Sequence, residues 1–382
     1  MNLKNFHNFF TFSIIGCLTM PGILFGPAMV GILVDHANFT EQYAGWALAY
    51  QSIGSATTLL IISSFIHSLD LKKLAFITLS FAFILEIYCS FITSPNTSFL
   101  IIRLFIGMFT TIANIAVYTS IASFQNYERG FGLFVLMQYL VSGLGLYFMI
   151  LYSDYLGAQG LFLLLALFNF IALSLIQKLP NHQTDNNSES GLTSELKVLF
   201  SGIAFLAIIG FGIHEMSGVA QFTYIERIGV SIAIDNQSLS NIMLVSSLLG
   251  IPGSIICITL GKKYGLVIPI LFGVSICLLG MSLFLFSKTY LTYIIRMCLM
   301  GFGWSIVLPY IQSHLANIDK KGSALAAGNS FATIGGALGA ILAANLIGEN
   351  NNYDALLQVS MLIYIIAALF IIISIKLKKI HE

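Results

Sequence analysis

The sequence predicts an all-α membrane protein whose twelve transmembrane helices form two bundles of six. Charged residues make up only 9% of the 382 positions, while 57% are hydrophobic, which leaves too little charge for the surface of a soluble protein. The apolar residues lie in blocks of about 20, the length at which a helix crosses a bilayer core of about 30 Å with its backbone hydrogen bonds satisfied. The basic residues are concentrated in every second hinge between these blocks, as expected for a chain that crosses the membrane repeatedly.

Each predicted span is one apolar block bounded by short polar hinges. The first block follows Lys4 and is longer than the core of a cleavable signal peptide, so we expect it to be retained as a span. The twelve predicted spans are 10–33, 43–66, 74–93, 98–120, 131–152, 158–177, 199–223, 239–261, 266–287, 290–313, 323–347 and 355–376.

The positions of the basic residues predict that both termini are cytoplasmic. Thirteen of the 17 lie at the termini or in hinges that follow even-numbered spans, two lie in the opposite hinges, and Arg103 and Arg296 lie within spans. Basic residues concentrate on the cytoplasmic side of membrane proteins. Because pairs of lysines at helix ends bind lipid headgroups, we expect the lipid bilayer as a partner and no nucleic acid.

One polar stretch divides the chain. Residues 178–198 are rich in Asn, Ser and acidic residues and show no periodicity, which is typical of a flexible linker. We therefore predict an N-terminal six-helix bundle over 1–177, a cytoplasmic linker over 178–198 and a C-terminal six-helix bundle over 199–382. No other stretch is long enough to form a soluble catalytic or ligand-binding domain.

The two halves repeat several features about 190 residues apart. Arg103 is followed by Gly107 in the fourth span, and Arg296 is followed by Gly301 in the tenth. Lysine pairs follow both the second and the eighth span. Such a parallel duplication predicts that a substrate site lies between the halves.

The order of these features resembles the major facilitator superfamily of secondary transporters over essentially the whole chain. The resemblance rests on the six-plus-six layout, the Lys-Lys hinges, Arg103 with Gly107, Arg129 with Gly130, and the small-residue eleventh span GSALAAGNSFATIGGALGA (322–340). The segment 25–54 is also similar to the first two spans of efflux-type branches of that family.

The resemblance implies a monomer, a cavity lined by the first, fourth, seventh and tenth spans, and cytoplasmic hinges that gate transport. The implied gating residues are Asp70, Lys72, Lys73, Arg129, Lys262 and Lys263. The hinge over 63–73 departs from the family pattern, because it reads SSFIHSLDLKK, with His67 where the family has aspartate. The fifth span reads VSGLGL at 141–146, where many proton antiporters have Gly-Pro-x-x-Gly-Gly.

Ionisable residues inside the spans are the candidates for coupling transport to an ion. Because burying a charge in hydrocarbon costs several kcal/mol, Glu86, Arg103, Glu215 and Arg296 are expected to face a wet cavity or to pair with one another. Glu215 and Glu86 are the candidates for carrying a coupling proton, since a carboxyl group in an apolar setting can hold a proton near neutral pH. For either residue, the alternative is a structural ion pair or hydrogen bond.

Polar residues at helical spacing along the fourth, seventh and tenth spans are candidates for lining a substrate cavity. The two arginines would suit an anionic substrate, with pairing to carboxylates as the alternative. For His214 and His314 a structural role is favoured over that of a proton relay, and His214 is expected to point about 100° away from Glu215. The candidate cavity-lining residues are Arg103, Asn114, Tyr118, His214, Gln221, Tyr224, Arg296 and Tyr310.

We expect neither a cofactor nor a metal site. The five cysteines fall inside predicted spans without metal-ligand spacing or a disulfide framework, and we interpret them as small apolar side chains. The sequence contains no Walker motif, so direct use of ATP by this chain is not expected.

These observations favour a secondary transporter that moves a small organic solute by alternating access, coupled to a proton or another ion. Efflux is favoured over an uptake permease for a nutrient or siderophore-like metabolite, because of segment 25–54 and because the candidate cavity is richer in aromatic and apolar groups than in charge. A membrane-embedded enzyme would need a clustered catalytic set, and a non-transporting sensor would need a signalling domain; the sequence offers neither. The short tails and loops favour a bacterial cytoplasmic (inner) membrane.

Overall fold

The computed structural model describes residues 3–63, 69–92, 94–124, 127–180, 202–260, 263–318, 323–348 and 351–381. Helices account for nearly all of these residues, and the chain separates into two compact units, Met1–Ser190 and Gly191–Glu382. The predicted linker lies outside the described residues except for 178–180, so its extent stays a prediction.

The first unit contains eight helices in the described residues. They are α1 (Leu3–Leu18), α2 (Pro21–Leu24), α3 (Gly26–Ala37), α4 (Glu41–Ser63), α5 (Leu71–Cys89), α6 (Thr97–Ala122), α7 (Tyr127–Leu151) and α8 (Ser153–Ile176). Gly157 interrupts α8 with a φ of 54°, a conformation that glycine adopts without steric cost. The regular part of α8 therefore follows Gly157, in agreement with the predicted span 158–177.

The second unit also contains eight helices in the described residues. Its helices in the described residues are α9 (Gly202–Thr223), α10 (Ile225–Ser231), α11 (Asn236–Leu248), α12 (Gly250–Leu260), α13 (Val267–Phe286), α14 (Tyr290–Ile318), α15 (Ser323–Ile347) and α16 (Tyr353–His381). Helices α11 and α12 together occupy the predicted span 239–261.

Nine helices in the described part of the chain are long and apolar enough to cross a membrane, and they correspond to the predicted fourth to twelfth spans. The first predicted span is divided among α1, α2 and α3, while α4 carries polar side chains along its length, including Gln51. Helix α5 has only 19 residues and includes Lys72, Lys73 and Glu86. Nine of the predicted spans are thus matched by helices of suitable length and composition in the described residues, and the total of twelve stays a prediction.

The break in the first span exposes backbone groups that side chains of other helices bind. The helix stops at Leu18, resumes at Pro21 and bends again at Phe25, with Pro27 in the first turn of α3. Proline has no backbone N–H, so helical hydrogen bonding is interrupted at such positions. Irregular backbone at membrane depth needs polar partners from the protein or from a wet cavity.

Helix α9 is held against α15 through very close backbone contacts. A Cβ atom on Gly335 would lie 1.9 Å from the carbonyl oxygen of Gly212, and one on Gly339 would lie 2.3 Å from that of Met216. Small residues permit this approach between membrane helices. Ser217 also donates a 2.8 Å hydrogen bond to the carbonyl of Ser360 on α16. Helix α9 is therefore fixed on two sides, which fixes the positions of the side chains that it carries.

Candidate functional site

A group of polar side chains surrounds the break in the first span. The Nδ2 of Asn114 donates to the carbonyl of Thr19 at 3.1 Å, and Ser142 donates to the carbonyl of Leu24 at 2.9 Å. The hydroxyl of Tyr118 and the amide of Gln138 both lie within 4 Å of the sulfur of Met20. The fourth and fifth spans therefore bind the irregular segment with groups suited to hydrogen bonding a polar solute.

Asn114 and Tyr118 retain capacity for further contacts. The Oδ1 of Asn114 is buried and has no hydrogen-bond partner among the described residues. The ring of Tyr118 packs edge-on against Phe134, with the centroids 5.3 Å apart. A buried acceptor without a partner is unfavourable unless water or a ligand binds it. This group is the candidate solute-binding region of the first unit.

Arg103 and Glu86 form a buried ion pair, which is one of the two alternatives expected for these residues from the sequence. The Nη1 of Arg103 lies 2.9 Å from both carboxylate oxygens of Glu86, and both side chains are fully buried. Gln51 accepts a further hydrogen bond from Nη2, and the ring of Phe162 lies 5.8 Å from the guanidinium carbon. The charge of Glu86 is therefore engaged by Arg103, so this carboxylate is poorly suited to exchange a proton.

In the second unit, His214 and Glu215 approach each other. The Nδ1 of His214 lies 3.4 Å from Oε1 of Glu215, so the expectation that the two side chains point apart is wrong. The angle of 100° describes only the directions of the Cα–Cβ bonds, and rotation about the side-chain torsions brings the ends together. His214 is 1% exposed, whereas the side chain of Glu215 is 20% exposed.

The imidazole of His214 lies between two aromatic rings. The centroid of Trp304 is 4.2 Å away and that of Tyr364 is 5.1 Å away. Neither nitrogen of His214 has a hydrogen-bond partner among the described residues. Trp304 and Tyr364 were missed at the level of sequence, because nothing in their local pattern distinguishes them from other aromatic residues of the spans.

Gln221 lies two turns beyond His214 on α9. It is 1% exposed, and neither its amide nitrogen nor its oxygen has a partner in the described structure. Tyr224 and Tyr310 are also buried, with 0% and 4% exposure. His314, by contrast, is hydrogen bonded through Nε2 to Ser374 at 2.8 Å, which is the structural alternative for that residue.

Arg296 differs from Arg103 in having no protein partner for its charge. The residue is fully buried, and its three guanidinium nitrogens have no hydrogen-bond partner among the described residues. The ring of Phe284 lies 5.6 Å from the guanidinium carbon. A cation–π contact of this kind compensates only part of the cost of burying a charge.

The hinge before α5 is held by Asp70 and two lysines. The carboxylate of Asp70 accepts from the backbone N–H of Lys73 at 3.1 Å and lies 3.1 Å from its ammonium group, and these bonds hold the pKa of Asp70 below its usual value. Lys72 donates to the carbonyl of Leu179 at 2.9 Å, beyond the end of α8.

The remaining predicted gating residues are only partly described. Lys263 lies 5.6 Å from the ring of Tyr264. Lys262 and the side chain of Arg129 lie outside the described residues.

Comparison with known proteins gives a family and a fold. The family model described as Major Facilitator Superfamily matches residues 11–340. A crystal structure of the nucleoside transporter NupG is similar, with a TM-score of 0.72, 13% sequence identity and coverage of 96% of this chain and 99% of that one. At this identity the likeness concerns the fold alone. No curated protein sequence matches the chain.

Proposed function

The chain belongs to the major facilitator superfamily and is a multi-pass membrane transporter rather than an enzyme, and we propose that it couples the export of a small organic solute to a proton. The solute moves by alternating access, with Glu215 as the residue that takes up and releases the proton. A bacterial cytoplasmic membrane and a monomeric state belong to the same proposal.

The observation that carries this proposal is the difference between the two carboxylates in the described spans. Glu86 is fully buried and bound by Arg103, whereas the described residues provide neither arginine nor lysine to Glu215, whose side chain is 20% exposed. A proton carrier must reach water and must not be held permanently charged by a cation. Of the two carboxylates, Glu215 is the one that is partly accessible and that no described arginine or lysine binds.

His214 supports the same assignment. Its Nδ1 lies 3.4 Å from the carboxylate of Glu215, and both of its nitrogens are otherwise without described partners. When Glu215 is ionised, a protonated imidazole at this distance stabilises the carboxylate. When Glu215 is protonated, that interaction disappears. The interaction between the two side chains therefore depends on their charge, which the proposed coupling role requires.

The solute-binding residues in this proposal are Asn114 and Tyr118 in the first unit and Gln221 in the second, with Tyr224 and Tyr310 as further candidates. Asn114 and Gln221 have buried polar atoms that no described residue binds. An amide can donate and accept simultaneously, and tyrosine rings add apolar area with a polar end. These groups suit a largely apolar solute that has a few hydrogen-bonding atoms.

Transport in proteoliposomes with an imposed pH gradient tests the proposal. Glu215→Gln should abolish gradient-driven transport but retain exchange of solute across the membrane, since the amide keeps the shape and loses the proton. The matched control is Asp354→Asn, because Asp354 lies at an exposed helix end and pairs with Lys288 at 2.6 Å. Gradient-driven transport by Glu215→Gln at the wild-type rate would refute the coupling role.

Uptake of a nutrient or a siderophore-like metabolite is the second candidate. Its support is the likeness in fold to the nucleoside transporter NupG. A substrate panel should therefore include nucleosides and metal-chelating metabolites beside drug-like amphiphiles. Accumulation against the gradient in right-side-out vesicles would favour uptake, and extrusion would favour export.

A further inference from the structure

Arg296 is the least compensated charge in the described residues of the spans. All three guanidinium nitrogens are buried without a hydrogen-bond partner there, and the nearest described interaction is the face of Phe284. Arginine stays protonated in proteins. A buried guanidinium without a partner is strongly unfavourable, and a group of opposite charge beside it offsets that cost most directly.

The internal duplication supplies a matched comparison for this site. A Cβ atom on Gly107 would lie 1.9 Å from the backbone oxygen of Gln51, and one on Gly301 would lie 2.1 Å from that of Ser246. Helices α4 and α6 therefore touch in the same way as α11 and α14. Both arginines also lie at a similar distance from a phenylalanine ring, 5.8 Å for Arg103 and 5.6 Å for Arg296.

The two sites differ in what faces the guanidinium. In the first unit Glu86 of α5 binds Arg103. In the second unit the neighbouring helix α13 presents Gly280 to Arg296, and a Cβ atom there would lie 3.2 Å from the Cα of the arginine. Glycine provides no carboxylate. In the first unit, Gln51 also accepts a hydrogen bond from Arg103. The corresponding residue of the second unit is Ser246, and its hydroxyl donates to the carbonyl of Met243 at 3.0 Å.

Polar groups close to Arg296 are already engaged. The hydroxyl of Tyr293, one turn before Arg296, donates to the carbonyl of Ile225 at 2.6 Å. Glu226 is near enough to act electrostatically on that hydroxyl, but its two oxygens are bound by Arg227 at 2.6 and 2.8 Å. The second unit therefore keeps the arginine of the repeat without the carboxylate that binds it in the first.

We propose that Arg296 binds a small monovalent inorganic anion, for which chloride is the probe. The anion takes the position that corresponds, in the repeat, to the carboxylate of Glu86 in the first unit. The proposed anion is small, because it takes the place that a single side-chain carboxylate occupies beside Arg103. Chloride and nitrate meet that limit, whereas gluconate does not. This anion site is distinct from the proposed solute and proton sites, and its occupancy stabilises the fold.

Thermal unfolding of the purified protein in detergent tests the proposal at constant sodium, pH and ionic strength, with chloride replaced by gluconate. A ligand that binds only the folded state stabilises it in proportion to occupancy. Above the dissociation constant, each tenfold increase in chloride should lower the unfolding equilibrium constant about tenfold. Arg296→Gln should remove this dependence and Arg296→Lys should retain part of it. Equal chloride dependence in wild type and Arg296→Gln would overturn the proposal, as would none in wild type.

The first unit offers a gain-of-site variant. Glu86→Gly removes the carboxylate that binds Arg103 and leaves Gln51 as its hydrogen-bond acceptor, so this variant should acquire a second chloride site and a steeper dependence of its stability on chloride. Bromide soaked into crystals of the wild-type protein gives an independent readout if Arg296→Gln does not fold. An anomalous peak within hydrogen-bonding reach of the Arg296 guanidinium is expected, and its absence at full bromide substitution would overturn the proposal.

Discussion

The guanidinium of Arg103 holds the carboxylate of Glu86 in the interior of the first unit, with Nη1 2.9 Å from both oxygens. Neither side chain is exposed, and Gln51 accepts a hydrogen bond from Nη2, the second terminal nitrogen of the guanidinium. One charged group thereby joins α4, α5 and α6. Its contribution depends on both partners, because each charge alone would be buried without compensation.

We predict that Glu86→Ala lowers the free energy of unfolding by about 3–5 kcal/mol, since it leaves the Arg103 charge buried and unpaired. The double variant Glu86→Leu with Arg103→Met should recover most of this loss, because apolar side chains of similar volume avoid the desolvation cost. Thermal unfolding in detergent, followed by circular dichroism, measures both. A double variant less stable than the single one would contradict this account of the pair.

The hinge residue Asp70 should contribute to stability in a pH-dependent way. It caps α5 by accepting from Lys73, which holds the pKa of its carboxyl below the usual value. A lowered pKa in the folded state means that the contribution is complete above the ordinary value of about 4 and is lost as the pH falls through the folded-state value.

Asp70→Ala should therefore cost about 0.5–2 kcal/mol at neutral pH, the usual range for loss of an N-cap. The difference in stability between wild type and Asp70→Ala should shrink as the pH is lowered below 4. Asp70→Asn is the control, because the amide oxygen still caps the helix but does not titrate. A difference from wild type that grows toward acid pH would refute the cap mechanism.

The spans could be predicted more reliably from the sequence than the contacts between them. Hydropathy places the regular part of α8 correctly after Gly157. It also treats 10–33 as one block, although the helix is interrupted there at Thr19 and Met20. Prolines indicate that a bend is possible, but the carbonyls that become available are bound by Asn114 and Ser142. Those partners are about 100 residues away, so local pattern does not reveal them.

In the candidate site, too, the sequence does not reveal which distant residues contact each other. The cost of burying charge shows that Glu86 and Arg103 need partners, but which helices pack together decides that they bind each other. For His214 and Glu215, helical angles predict divergence, while side-chain rotation places them 3.4 Å apart. The rings of Trp304 and Tyr364 join His214 from α14 and α16, and no pattern along either helix indicates that contact.

We predict that Gly335→Ala destabilises the second unit and impairs transport. A Cβ atom there would lie 1.9 Å from the backbone oxygen of Gly212, so α15 must move away from α9. Such overpacking typically costs about 1–3 kcal/mol, and it shifts the helix that carries Glu215. Gly202→Ala on α9 is the control, because nothing lies within 4 Å of its Cβ position. Equal unfolding temperatures for the two variants would exclude the packing argument.

Loss of the side-chain amide should change the stability of the protein in opposite ways at Gln221 and at Asn114. Asn114 donates to the carbonyl of Thr19 at 3.1 Å, so Asn114→Leu leaves a buried carbonyl unpaired and should cost about 1–3 kcal/mol of stability. Gln221 is 1% exposed, and no described residue bonds to its amide. Gln221→Leu should therefore leave the unfolding temperature unchanged or raise it, since replacing an unsatisfied buried amide with an apolar group removes a desolvation cost.

The effect of Gln221→Leu should fall on the solute instead. If the amide binds the solute, its loss should raise KM by about tenfold or more, since one hydrogen bond contributes about 0.5–1.5 kcal/mol and an unpaired solute group adds its own desolvation cost. Proteoliposome uptake at varied solute concentration separates KM from the maximal rate, and unfolding temperature is measured on the same preparations. A less stable Gln221→Leu protein with an unchanged KM would mean that the amide serves the fold, because a structural hydrogen bond affects stability before it affects solute affinity.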